Sequence, residues 1–223
     1  MVKNILYIVG AFLLLIACKH EASYDEDKVY AVYTIDAFEN RTFADARVDF
    51  YEKNTSGGKI VLEEPAEVFI EDQAMGFVSS GDYYSRNINF DSKSGGTFYY
   101  SNTQHQILEN KVEVPFVALP EVIDSISKSE GVEISWTGSP LGSNEEIILT
   151  IRDNRFLKSE QVKENAAGAT SIFLPADVLQ SFSTGENYLE LMRENKKGLQ
   201  EATAVGGIRI GRFFTTRKAV ILY

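Results

Sequence analysis

Residues 28–37 read KVYAVYTIDA, and their alternation decides the fold class. Val29, Ala31, Tyr33, Ile35 and Ala37 fall on one side of an extended chain; Tyr30, Val32, Thr34 and Asp36 fall on the other. Successive side chains of a strand point to opposite faces, so such a stretch sets one row against a core and the other outward. The pattern resumes at once, with Ala46, Val48 and Phe50 alternating with Arg47, Asp49 and Tyr51.

Further runs of β-branched and aromatic residues follow at 59–62, 66–71, 83–90, 97–100 and 111–117. Turn formers separate them, among them Ser56-Gly57-Gly58 and Ser94-Gly95-Gly96. About seven short strands over roughly ninety residues is the pattern of a β-sandwich. Ala118-Leu119-Pro120-Glu121 reads as a joint, and strand-like runs resume at 122–126, 132–136, 146–152, 170–174, 188–193, 202–210 and 218–222. The one helical signal is 175–182, PADVLQSF, where Pro near the start predicts a turn or two of helix. The expectation is an all-β protein of two tandem β-sandwich (immunoglobulin-like) domains, 28–118 and 119–223. The second resembles, loosely, immunoglobulin-like or fibronectin type III-like modules, because Gly131-Val132-Glu133-Ile134-Ser135-Trp136 sets a lone Trp on an early strand. That resemblance implies a buried Trp136 and no activity. Without a cysteine pair a true immunoglobulin domain is excluded.

The other informative stretch is the N-terminus. Lys3 precedes an apolar run, 5–17, that ends at Cys18. The run is shorter than the ~20 residues of a spanning helix and fits the apolar core of a signal peptide. Leu15-Ile16-Ala17-Cys18 resembles the lipobox of bacterial lipoproteins. The resemblance implies a signal peptide 1–17, cleavage between Ala17 and Cys18, and fatty acid on the Cys18 thiol. Residues 18–27 then form a lipidated tether holding the fold at a cell membrane or outer membrane. Asp25-Glu26-Asp27 resembles the acidic cluster of surface-displayed lipoproteins of the Bacteroidota, though it begins late. A solvated linker facing the periplasm reads as well, so both orientations stay open. Cys18 is the only cysteine, which removes intrachain disulfides, thiol catalysis and cysteine-held zinc from the mature fold.

The chain carries a formal charge of −10, which argues against nucleic acid as a partner. The acid is unevenly spread: residues 24–118 hold 8 basic and 17 acidic side chains, whereas 119–223 hold 12 and 14. The first half repels acidic surfaces and the second can approach one.

No constellation with chemistry emerges. His20 sits in the tether and His105 in a polar segment, neither near a second ligand in sequence. There is no G-x-S-x-G elbow, Asp25-Glu26-Asp27 lacks calcium-loop spacing, and Glu63-Glu64, Glu71-Asp72 and Glu145-Glu146 fall where solvated charge is ordinary. Gly206-Gly207 and Gly211 bracket a strand and do not open a phosphate-binding helix. The expectation is therefore no catalytic residue, no metal and no cofactor. The residues with binding content are Tyr83, Tyr84, Tyr99 and Tyr100, since one of two neighbouring strand aromatics faces outward and can meet a ligand. Asp124-Ser125-Ile126 resembles an O-glycosylation acceptor of the Bacteroidota. Taken together the sequence predicts a non-enzymatic envelope lipoprotein for binding, adhesion or envelope assembly, its partners being the membrane through Cys18 and envelope proteins or glycans. The alternative is an accessory glycan- or nutrient-binding lipoprotein of an outer-membrane uptake system.

Overall fold

A computed structural model describes residues 24–90, 95–123 and 125–223. Ala17, Cys18, the signal segment, His20 and Asp124 lie outside the described residues. A 3-10 turn, Glu26–Lys28, leads into β1 (Val29–Phe38) and β2 (Phe43–Glu52), the two stretches of strongest alternation. The first half continues with β3 (Glu67–Ile70), β4 (Gln73–Ala74), β5 (Gly76–Val78), β6 (Tyr83–Asn89), β7 (Gly96–Ser101) and β8 (Ile107–Val112). The second half holds β9 (Ser125–Ile126), β10 (Val132–Ser135), β11 (Glu145–Asp153), β12 (Ser159–Glu164) and β13 (Ser171–Leu174). After the short helix α1 (Ala176–Gln180) come β14 (Gly185–Gly198), β15 (Gly207–Phe214) and β16 (Lys218–Leu222). The protein is all-β, layered as a β-sandwich.

In the first half, β1, β2, β6 and β5 lie over a second sheet ordered β4-β3-β7-β8. The inward rows meet as aromatic contacts, Tyr33 on Phe98 at 4.9 Å and Phe50 on Tyr100 at 5.0 Å between ring centroids. In the second half, β12, β11, β14 and β16 form one layer, and the β10–β13 pair supplies Ile134, Ile172 and Leu174 to the same buried core. Trp136 is buried there, as the sequence predicts.

One sheet runs through both halves. β15 pairs in parallel with β1, from Ala31 opposite Gly207 to Phe38 opposite Phe214, so the larger sheet is ordered β12-β11-β14-β15-β1-β2-β6-β5. The segment that runs into the expected joint passes beneath it, with Val114, Val117 and Leu119 buried and Phe116 against Phe213. Gly211 permits this, because a Cβ there would run into the Glu113 carbonyl passing beneath β15.

The register also fixes the two ends of the molecule. β14 runs back along β15 from Met192, opposite Phe214, to Gly198, opposite Ile208. Its first residues overshoot β15 and pair instead with β16, Gly185 opposite Leu222. β11 follows β14 with Asp153 opposite Asn187, so the turn joining β11 to β12 stands at the end remote from Val29. At the ordinary rise of a strand the separation is about 40 Å.

Candidate functional site

The structure separates the four tyrosines. Tyr100 is 1% exposed and packs on Phe50, and burial pushes its hydroxyl well above the ordinary tyrosine range. Tyr84 also leans on Phe50, ring edge to face at 5.9 Å, and its hydroxyl accepts the Leu62 N–H at 2.9 Å. These two therefore meet through Phe50 inside the sandwich, where Tyr100 reaches no ligand. Tyr83 lies on the outward row of β6, and Tyr99 on the outward row of β7 in the opposite sheet. The four do not share a surface.

Around Tyr83 the outward rows of β2 and β6 assemble a charged cluster. Arg47 grips Asp49 with two hydrogen bonds, 2.6 and 2.7 Å, and its guanidinium lies 4.0 Å from the Tyr83 ring centroid. Lys59 donates to Asp49 at 2.9 Å and to the Gly81 carbonyl. Burial opposes the charge on Asp49, but the hydrogen bonds from Arg47 and Lys59 outweigh it and hold the carboxyl below its ordinary value. Beside Lys59 opens a cleft of about 540 Å³ lined by Tyr24, Asp25, Glu52, Ile60, Val61 and Glu63 among others. Tyr24 packs on the core, and Glu26 accepts the Thr103 N–H at 2.8 Å. The chain is thus seated on the sandwich from Tyr24 onward.

The opposite end presents a different surface. In the turn after β11, Phe156 is 50% and Leu157 83% exposed. The turn is nevertheless tightly built. Asp153 accepts the Phe156 N–H through its carbonyl at 3.1 Å, and the Leu157 and Lys158 N–H groups through one carboxylate oxygen at 2.8 and 3.0 Å. Phe156 sits at φ +57°, a left-handed conformation unusual for a bulky residue. Its ring stacks on Tyr188 of β14, centroids 5.4 Å apart and planes 18° from parallel, and Arg217 lies 5.2 Å from its centroid. Arg152 and Arg217 share the single carboxylate of Glu190, at 4.0 and 3.3 Å. Arg155 makes no ion pair among the described residues.

No family model and no curated protein matches this chain. Among solved structures it is similar to the chicken CNTN1 FN1–FN3 domains, at 11% identity, covering 85% of this chain and 65% of that one, with a TM-score of 0.30. The fold assignment rests on the strands and layers described above.

Among the described residues, no group of three or more His, Cys, Asp or Glu side chains is placed to hold a metal ion, and no helix is long and apolar enough to cross a membrane. His105 lies at φ +62° in the turn between β7 and β8. Sequence reasoning did not single out Phe156 and Leu157. The signal was there: an apolar pair directly after Asp153-Asn154-Arg155, where a turn needs polar residues.

Proposed function

We propose that this chain is a cell-envelope lipoprotein, cleaved after Ala17 and acylated on Cys18, acting as a non-enzymatic binding, adhesion or envelope-assembly module. The observation that carries the reading is the seating of Tyr24 and Glu26 on the first sandwich. Only residues 19–23 then separate the acyl-bearing cysteine from the fold, a reach of roughly 20 Å even when fully extended. Such a leash holds the Tyr24 end close to the membrane, whether cell membrane or outer membrane, and leaves the Phe156 end as the part free to meet something else. The all-β layering and the paired state of the Asp49 cluster fit a rigid recognition scaffold.

Intact mass and fractionation of the natively expressed protein test this reading. The expected product begins at Cys18, carries acyl chains and sediments with membranes, and Cys18→Ser releases it. A wild-type product of unmodified mass, or a Cys18→Ser protein that stays in the membrane fraction, would overturn it.

A further inference from the structure

We propose that the outer face of β3, β7 and β8 docks a partner protein through an arginine-bearing, positively charged segment of that partner. The register lays this face out in three rows. Phe69, Tyr99 and Glu109 lie side by side in the middle row, and Glu67, Ser101 and Ile107 lie in the row on one side. In the row on the other side Thr97 stands opposite Lys111, and Glu71 bonds Thr97 twice, its N–H to the carbonyl and its carboxylate to the N–H, both at 2.8 Å. The alternate residues Val68, Ile70, Phe98, Tyr100, Leu108 and Val112 fill the core, so these rows face out. Glu67, Glu71 and Glu109 therefore meet a single cation, Lys111, and none of the four forms an ion pair among the described residues. The surrounding charges do not reverse the sign. Asp72 and Arg86 offset one another beside β4, and at the β8 edge Glu113 and Glu201 stand with Lys197 and Arg209. Part of the acid excess of the first half thus has a place, and it calls for a basic partner.

The aromatic rings narrow the class of cation. On the outer face of the large sheet, aromatic rings already hold guanidinium groups, Arg47 over Tyr83 at 4.0 Å and Arg41 over Phe38 at 4.2 Å. No cationic side chain lies over Phe69 or Tyr99 among the described residues, although carboxylates frame both. Partial burial, then Glu109 and Glu71, raise the Tyr99 hydroxyl above its ordinary range, so the potential at this ring is negative. A planar guanidinium both stacks on such a ring and pairs with a carboxylate beside it, which an ammonium does less well. Three strands of a sheet also present a flat surface, which suits a protein better than a small molecule, whose sites are concave. Ile107, 61% exposed at the corner, offers the apolar contact of such an interface. The inference rests on the binding-module reading and gives that module a partner class.

The test uses the chain from residue 19 onward, which contains every described residue and no acylation site. Its binding to fluorescent hexa-arginine and hexalysine peptides is read by anisotropy at about 0.15 M salt, where charges beyond roughly 8 Å are screened. Hexa-arginine is expected to bind, and hexalysine, of equal charge, to bind severalfold more weakly. The double variant Glu71→Gln, Glu109→Gln should lose about tenfold in hexa-arginine affinity while keeping the wild-type circular dichroism. Tyr99→Ser should lose severalfold. The control Glu160→Gln, Glu164→Gln removes the same charge from β12 and should lose about twofold at most. Absence of hexa-arginine binding, equal binding of hexalysine, or a Glu71/Glu109 variant that loses no more than the β12 control, overturns the proposal. None of these results bears on acylation, which the mass measurement reads separately.

Discussion

Arg193 Nη2 lies 2.5 Å from Glu145 Oε2, and this pair locks the segment that links the two halves. The Arg193 side chain is 1% exposed, yet it points inward from β14 in the row of Leu189 and Leu191. It is tolerated because both terminal nitrogens find acceptors, the carbonyls of Phe116 at 3.2 Å, Ser139 at 2.8 Å and Pro140 at 3.1 Å besides Glu145, and only Nε is left without one. Removing the guanidinium orphans the buried carbonyls of Phe116, Ser139 and Pro140 together with the Glu145 carboxylate, so Arg193→Met should lower stability by about 3–5 kcal/mol in urea unfolding. Glu145→Gln keeps an acceptor and should cost less. Equal unfolding midpoints for Arg193→Met and wild type would refute the clasp.

The free edge of β8 is closed by side chains of the 199–206 segment. Lys111 N–H donates to Gln200 Oε1 at 2.8 Å and Glu109 N–H to Glu201 Oε2 at 2.7 Å. The fully buried Asn110 holds that segment in place, accepting the Gln200 N–H and donating to the Glu201 carbonyl, both at 2.8 Å. Asn110→Ala should cost about 2–3 kcal/mol, the penalty of orphaned buried groups. It should also strip hydrogen-exchange protection from the amides of Glu109 and Lys111, which report the edge directly.

Two aspartates on the outward face should respond to pH in opposite senses. Arg47 and Lys59 hold Asp49 below its ordinary value. Its contribution is therefore present above the unfolded value of about 3.9 and is lost as pH falls through the folded value. Asp36 is raised, chiefly by burial, despite Arg212 at 3.5 Å, and its cross-strand neighbour Asp45 adds to the rise. Its charge thus costs stability above the raised value, and the cost vanishes below about 3.9. Asp49→Asn should destabilise at pH 7 with the deficit shrinking near pH 3, and Asp36→Asn should compare more favourably with wild type at pH 7 than at pH 3. Denaturant titrations at both pH values decide it.

Phe156→Asn should leave global stability within about 1 kcal/mol of wild type. Releasing a bulky residue from the left-handed region gains about 1–2 kcal/mol, and losing the stack on Tyr188 costs a comparable amount. A loss above about 3 kcal/mol would mean that Phe156 belongs to the core.

The strands with strong alternation were legible, and the departures have physical causes. Ser159-Glu160-Gln161-Val162-Lys163-Glu164 carries no apolar alternation, because an edge strand exposed on both faces needs only one apolar residue. The run 111–117 reads as a single strand, but pairing stops at Val112 because 113–117 passes beneath β15, where Phe116 meets the Phe213 ring at 5.2 Å. Of the 59–62 run, only Lys59 makes a bridge, to Tyr51. The strand expected at 202–210 begins at Gly207, after Gly206 turns the chain at φ +79°. The parallel pairing of β1 with β15 left no mark in either strand, since alternation records which face is buried and never which neighbour is bonded. For the candidate site, alternation correctly split each tyrosine pair between faces, but which faces met across the two sheets lay in the topology.

That parallel pairing has a consequence for how the molecule comes into being. β1 is synthesised well before its partner β15, which follows about 176 residues later. Until then the edge of β1 facing away from β2 stays open. Contacts so distant in sequence are slow to form because a long loop must close first. Maturation is thus gated by the last strands: a nascent or truncated chain displays a bare hydrogen-bonding edge, and protection against premature association must come from outside the sequence that needs it.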